Sequence, residues 1–339
     1  MQNCRFIKTI LMLLVIIGHA CAFWSGNWFT ENPLIKSTGL DMIYRWVSSF
    51  HVYAFALVSG YIFTYKVTSG AYSMLIPFLR NKMKRLIVPY IFVTLIWVAP
   101  ISSSFFKWDL SYIIKKYLLA VDPSQLWFLW MLFWVFLFAW LMRKTLLEKP
   151  ILGWAITIAF YGIGMIGKLM LPNVFCFWTA CQYLLFFFLG MRLRIRDEIE
   201  KVKLFKQTPW FVWVVADILV FCATIALKER GGTIWSLLHV LMNLLLNVIG
   251  AIMAWTCLQT LAKAIPWKNN IILNKLSFYS MPIYLFHQQI MYFTITWMNG
   301  KVSPWINATV NFISALVCSY LISKILAKWK ITRTYIGVT

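Results

Sequence analysis

Long apolar runs broken by short polar segments recur along the whole chain. Each run approaches the roughly twenty residues that a helix needs to cross a bilayer. Taken as helices, they fall near residues 5–23, 43–65, 86–104, 126–142, 151–171, 175–191, 210–227, 234–261, 278–297 and 305–327. The pattern predicts an all-α polytopic membrane protein with about ten transmembrane helices. No low-complexity stretch or long Pro/Gly linker divides it. Residues 1–339 therefore read as a single integral membrane domain with no appended soluble domain.

Polar residues inside the runs are few. Hydrocarbon offers them no partner, so each must face a cavity or a neighbouring helix. The first run reads K-T-I-L-M-L-L-V-I-I-G-H from Lys8 to His19. Eleven steps of about 100° come within about 20° of three full turns, so Lys8 and His19 share one helix face, about 16 Å apart along the axis. His51 sits about a third of the way into the second run. The connection over residues 24–42 returns that helix beside the first, which brings the two histidines to similar depth. Ser48 and Ser59 share a face there, and Ser59-Gly60 permits either close backbone approach or a local break. His239, Asn243 and Asn247 form a stripe best read as interhelical glue. Ser280, Tyr284, His287 and Gln288 share a side of the ninth run and could line the same cavity as the first two. Asp217, the one acid well inside a run, needs a partner, and a histidine is one option.

Composition sharpens this picture. The chain is 61% hydrophobic and only 12% charged, against about 25% charged residues in soluble domains. A net charge of +22 would point a soluble protein towards nucleic acid. Here the basic residues lie between the apolar runs, so the positive-inside rule explains them, the lipid bilayer is the partner, and nucleic acid is not. Placing both termini in the cytoplasm gathers the main basic clusters on that side: Arg5/Lys8, Lys66/Arg80/Lys82/Lys84/Arg85, Arg143/Lys144/Lys149, Arg192/Arg194/Arg196/Lys201/Lys203/Lys206, Lys263/Lys268/Lys275 and Lys324/Lys328/Lys330/Arg333. The seven cysteines are scattered, with neither metal-ligand spacing nor a disulfide framework, and no metal site is expected. The first run ends in Ala20-Cys21-Ala22, like a cleavable signal peptide. Cleavage would remove His19 and leave an odd number of spans, so the run is read as retained.

Several local patterns then point to a family. Lys8 and His19 form a K-x10-H pair. The second run matches F-H-x-x-x-F-x-x-x-S-G-Y through Phe50, His51, Phe55, Ser59, Gly60 and Tyr61. K-M-K-R-L-I-V-P-Y supplies Lys82, Lys84, Arg85 and Pro89, and Leu126-Trp127-Phe128-Leu129 and I-Y-L-F-H, ending at His287, follow in order. With these features the sequence resembles the acyltransferase-3 family of integral membrane O-acyltransferases, in particular its fucose 4-O-acetylase-like branch. It departs from that family in two places. Asn3, Cys4 and Arg5 stand where many members carry an acid, and Lys8 stands where many have Arg. The second change exchanges a planar fork for a flexible point charge.

The resemblance implies a multi-pass plasma-membrane enzyme, in a bacterium the inner membrane. It would transfer an acetyl or other acyl group from acyl-CoA to a sugar hydroxyl of a surface polysaccharide or its lipid-linked precursor. Acetyl-CoA is then a co-substrate, with no permanently bound cofactor, and a carbohydrate is the acceptor. It implies His19 as general base, with His51 orienting it, sharing its proton or stabilising an oxyanion. Lys8, Lys82, Lys84 and Arg85 would hold the donor phosphates, and Ser59, Tyr61, Trp127, Tyr284 and His287 would line the substrate cavity. The alternative reading is a glycan or lipid transporter or flippase, against which stands the lack of an internal repeat.

Overall fold

The computed structural model describes residues 2–26, 28–199, 208–228 and 232–338, and its regular structure is helical with no strand among these residues. The basic residues Lys201, Lys203 and Lys206 lie outside the described residues. Nine helical segments among the described residues are long and apolar enough to cross a bilayer. In chain order the main helices are α1 (Gln2–Ala22), α2 (Thr38–Ser48), α3 (His51–Thr68), α4 (Leu75–Phe106), α5 (Trp127–Leu141) and α6 (Pro150–Met170). They continue with α7 (Phe177–Ile199), α8 (Trp210–Lys228), α9 (Thr233–Ala264), α10 (Ser280–Met298), α11 (Pro304–Leu326) and the short α12 (Lys330–Tyr335). The protein is an all-α, multi-pass membrane protein.

The ninth predicted span, 278–297, forms helix α10 but is not among the nine apolar segments. It is polar at its middle, with His287, Gln288 and Gln289 all buried. Its 19 residues span about 28 Å. At one end Asn299 accepts from Leu34 N and donates to Asn32 O in the first connection, at 3.0 and 3.2 Å. At the other, Met281 lies against Gly337 in the C-terminal segment. Helix α10 thus runs between the two sides of the bundle with its polar middle shielded by other helices, while Phe293 and Trp297 turn outward. That shielding is what permits its polar residues.

The second predicted span, 43–65, is two helices. Ser37 caps α2 by accepting from Leu40 N, so the helix begins earlier than expected. The chain then breaks at Ser49 and Phe50, where Phe50 has φ −135° and ψ −31°. His51 therefore opens α3 rather than lying within a continuous helix. No break occurs at Ser59-Gly60. A side chain at Gly60 would place Cβ 1.9 Å from the Phe187 carbonyl oxygen, and one at Gly190 would place it 1.8 Å from that of Leu57. The backbones of α3 and α7 touch at these two points, the close approach that small residues allow in membranes.

Helix α4 is interrupted by π-helical turns at Met83–Ile87 and Thr94–Val98. Each lies just ahead of a proline, Pro89 and Pro100. A proline donates no N–H and its ring crowds the preceding turn, and a wider turn absorbs both defects. Helix α1 is central. It packs against α2, α3, α9, α10 and α11, with Leu11, Ile16 and Ala22 fully buried. Helices α6 and α8 are peripheral and turn residues such as Ile158, Ile163, Val215 and Leu219 outward, as lipid-facing surfaces do.

Candidate functional site

A cavity of about 320 Å³ opens among α1, α3, α4, α5 and α10. Lys8 and His19 both line it, as their shared helix face requires. The cavity is polar at its two ends and apolar between, where Met12, Val15, Phe55, Leu132 and Phe136 contribute walls.

The basic end holds Lys8, Lys66, Lys82 and Arg85. The ion pairs found among the described residues are Asp41–Arg45 and Lys116–Asp122, so no carboxylate neutralises this group. Lys82 is only 7% exposed. Its Nζ donates to the Tyr72 hydroxyl at 3.1 Å and lies 3.4 Å from the Phe136 ring centroid, with Tyr72 and Phe78 at 4.9 and 5.5 Å. Aromatic faces are what an ammonium can use when no anion is at hand. Burial pushes the Tyr72 phenol above its ordinary pKa, partly offset by the nearby Arg85 charge, so the hydroxyl stays neutral and able to accept from Lys82. Lys84 is exposed and does not line the cavity.

The other end carries the histidines. His51 Nδ1 lies 2.6 Å from the Val47 carbonyl oxygen. A carbonyl only accepts, so Nδ1 carries the proton and Nε2 is left as an acceptor. The same logic runs through the second pair. His287 Nδ1 lies 2.7 Å from the Tyr284 carbonyl, so it donates there and His287 Nε2 is an acceptor. His19 Nδ1 lies 2.7 Å from that Nε2, with the two rings stacked 5.0 Å apart. His19 therefore donates through Nδ1, and its own Nε2 is left with a free lone pair. A carbonyl and two imidazoles in series thus leave an unprotonated nitrogen at the cavity.

Ser59, Trp127 and Tyr284 line the cavity with the histidines, while His287 reaches it only through His19. Tyr61 does not line it. It accepts from Arg194 Nη1 at 3.2 Å and packs on Trp255. Asp217 meets Trp46 rather than a histidine: Trp46 Nε1 donates to its Oδ2 at 2.7 Å, while Oδ1 has no partner. Asn243 bonds back to the His239 carbonyl within α9, so that contact is local and not the expected interhelical glue.

Gln125 was not singled out from the sequence. It lines the cavity and donates to the Leu285 carbonyl and to Gln289 Oε1, at 3.1 and 2.7 Å, while the Tyr284 hydroxyl donates to its main-chain carbonyl. The available signal was its position, a polar residue immediately before Leu126-Trp127 at the mouth of an apolar run. Tyr72 and Lys66 gave no such signal, since each reads as part of a solvated connection.

A family model described as an acyltransferase domain matches residues 4–324, which takes in every cavity residue named above. Neither a curated protein nor a solved structure matches the chain. The chain belongs to the acyltransferase-3 family, and so to the membrane acyltransferases.

Proposed function

We propose that the protein transfers an acyl group, acetyl in the simplest case, from acyl-CoA to a hydroxyl of a surface polysaccharide or its lipid-linked precursor, at a bacterial inner membrane. The observation that carries this reading is one cavity with a cationic end, unpaired with any carboxylate among the described residues, and a histidine with a free ring nitrogen at the other. The donor is a polyanion with a long uncharged arm. Lys8, Lys66, Lys82 and Arg85 suit its phosphates, and the apolar walls suit the arm.

In this mechanism His19 Nε2 takes the proton of the sugar hydroxyl as its oxygen bonds to the thioester carbonyl carbon. The tetrahedral intermediate collapses as the C–S bond breaks. The departing thiolate recovers the proton from His19, giving the ester and free CoA. His287 holds His19 in the required tautomer and disperses its charge while it is protonated. His51, with Nδ1 committed to Val47, accepts a neighbouring sugar hydroxyl and orients the acceptor. Trp127 supplies an indole N–H for the developing oxyanion.

The test is labelled acetyl transfer to the host glycan with wild type and His19→Ala. The variant is expected to insert normally and to lose incorporation by about 10²-fold or more. Unchanged acetyl content in a folded variant would remove His19 from the reaction.

A further inference from the structure

The family match ends at residue 324, yet the chain beyond it is built into the cavity wall. The Thr332 hydroxyl donates to the Leu326 carbonyl, and Arg333 Nε donates to that of Ala327 at 2.6 Å, which folds the segment back against the end of α11. Helix α12 then packs on the stretch of α4 that contains Arg85 and Pro89. Tyr335 stacks on Phe92 with centroids 5.1 Å apart. Ile336 and Val338 are 0% and 6% exposed and join the main core.

Between those two anchors, Gly337 lines the cavity against Met281 and Pro89, while α12 packs on the π turn that carries Arg85. Its φ is +73°, and a Cβ there would stand 2.9 Å from Met281 Cγ and 3.5 Å from Pro89 Cγ. Two neighbouring side chains are buried to hold the segment in place, and the residue between them presents bare backbone to the cavity. The positive φ and the close approach to Met281 and Pro89 both call for glycine here, so the cavity wall at this point is main chain.

We propose that residues 330–338 form the part of the donor site that seats the nucleotide end of acyl-CoA, with Gly337 letting the segment close against Met281 and Pro89 as that part of the wall. This rests on the donor reading above. It assigns a recognition role to a segment outside the family match, one that tunes donor affinity without touching the histidines.

CoA binding to the purified full-length protein, measured by calorimetry in detergent, separates the two ideas. Wild type is expected to bind, and Gly337→Leu to bind at least tenfold more weakly. The apparent KM for donor is expected to rise by at least the same factor. A wild type that binds no CoA overturns the donor reading and this inference with it. A wild type that binds, beside an inserted Gly337→Leu that binds equally well, overturns the inference alone. Should that variant not fold, photocrosslinking of wild type with a CoA carrying a photoreactive adenine gives the answer. Adducts on the peptide covering 330–338 are expected, and adducts confined to other peptides overturn the proposal.

Discussion

At the residue scale, the proposed chemistry depends on which histidine nitrogen carries a proton. Carbonyls of Tyr284 and Val47 settle that for His287 and His51, and His287 passes the constraint to His19. In the proposed mechanism His287 acts through His19 as a positioning residue. His287→Ala leaves His19 Nδ1 without its acceptor and frees the ring to rotate. Turnover is expected to fall at least about tenfold, with donor KM unchanged, because the cationic end is untouched. Steady-state kinetics in both substrates checks this, and a change confined to donor KM would contradict it. Asp217 has a structural role at the same scale. Asp217→Asn keeps an oxygen for Trp46 Nε1 and is expected to melt near wild type. Asp217→Ala orphans a half-buried indole donor and is expected to lose about 1 kcal/mol, seen as a lower melting temperature in detergent.

At the element scale, two interruptions set the site. The break at Ser49 and Phe50 starts α3 at His51, and the π turn at Met83–Ile87 carries Arg85 to the cavity while Lys84 stays outside. The proline behind that turn was legible in the sequence, since Pro89 must disturb a helix. The break before His51 was not. Its residues, Ser-Ser-Phe-His, contain neither Pro nor Gly, and what holds it is contact with other helices, including Asp217 on Trp46. The opposite occurred at Gly60, where a plausible breaker is instead a contact point. Gly60→Leu must push α3 from α7 and is expected to cost more than about 2 kcal/mol, or to block insertion. A variant with wild-type melting behaviour would mean that the two helices do not touch there.

At the scale of the whole molecule, the bundle collects cations from α1, α3 and α4 around one cavity end, with no carboxylate among the described residues paired to them. Such a cluster attracts an anionic donor over a distance, and salt screens it. Donor KM is expected to rise with ionic strength, and the Lys82→Ala/Arg85→Ala variant to show both a higher KM and a flatter salt dependence. Equal salt slopes for the two proteins would detach the cluster from donor capture.

The sequence by itself determined that the chain is helical and crosses the membrane many times, because burial of backbone polar groups leaves no other solution for such long apolar runs. It also determined that Lys8 and His19 look the same way, since helical geometry fixes that over eleven residues. Only the tertiary structure decided what His19 meets. His287 lies on α10, far along the chain, and pairing between distant helices depends on packing that no local pattern encodes. For the same reason Tyr61, inside a recognisable motif, turned away from the cavity, while Lys66, Tyr72, Gln125 and Gly337, outside any motif, came to line it.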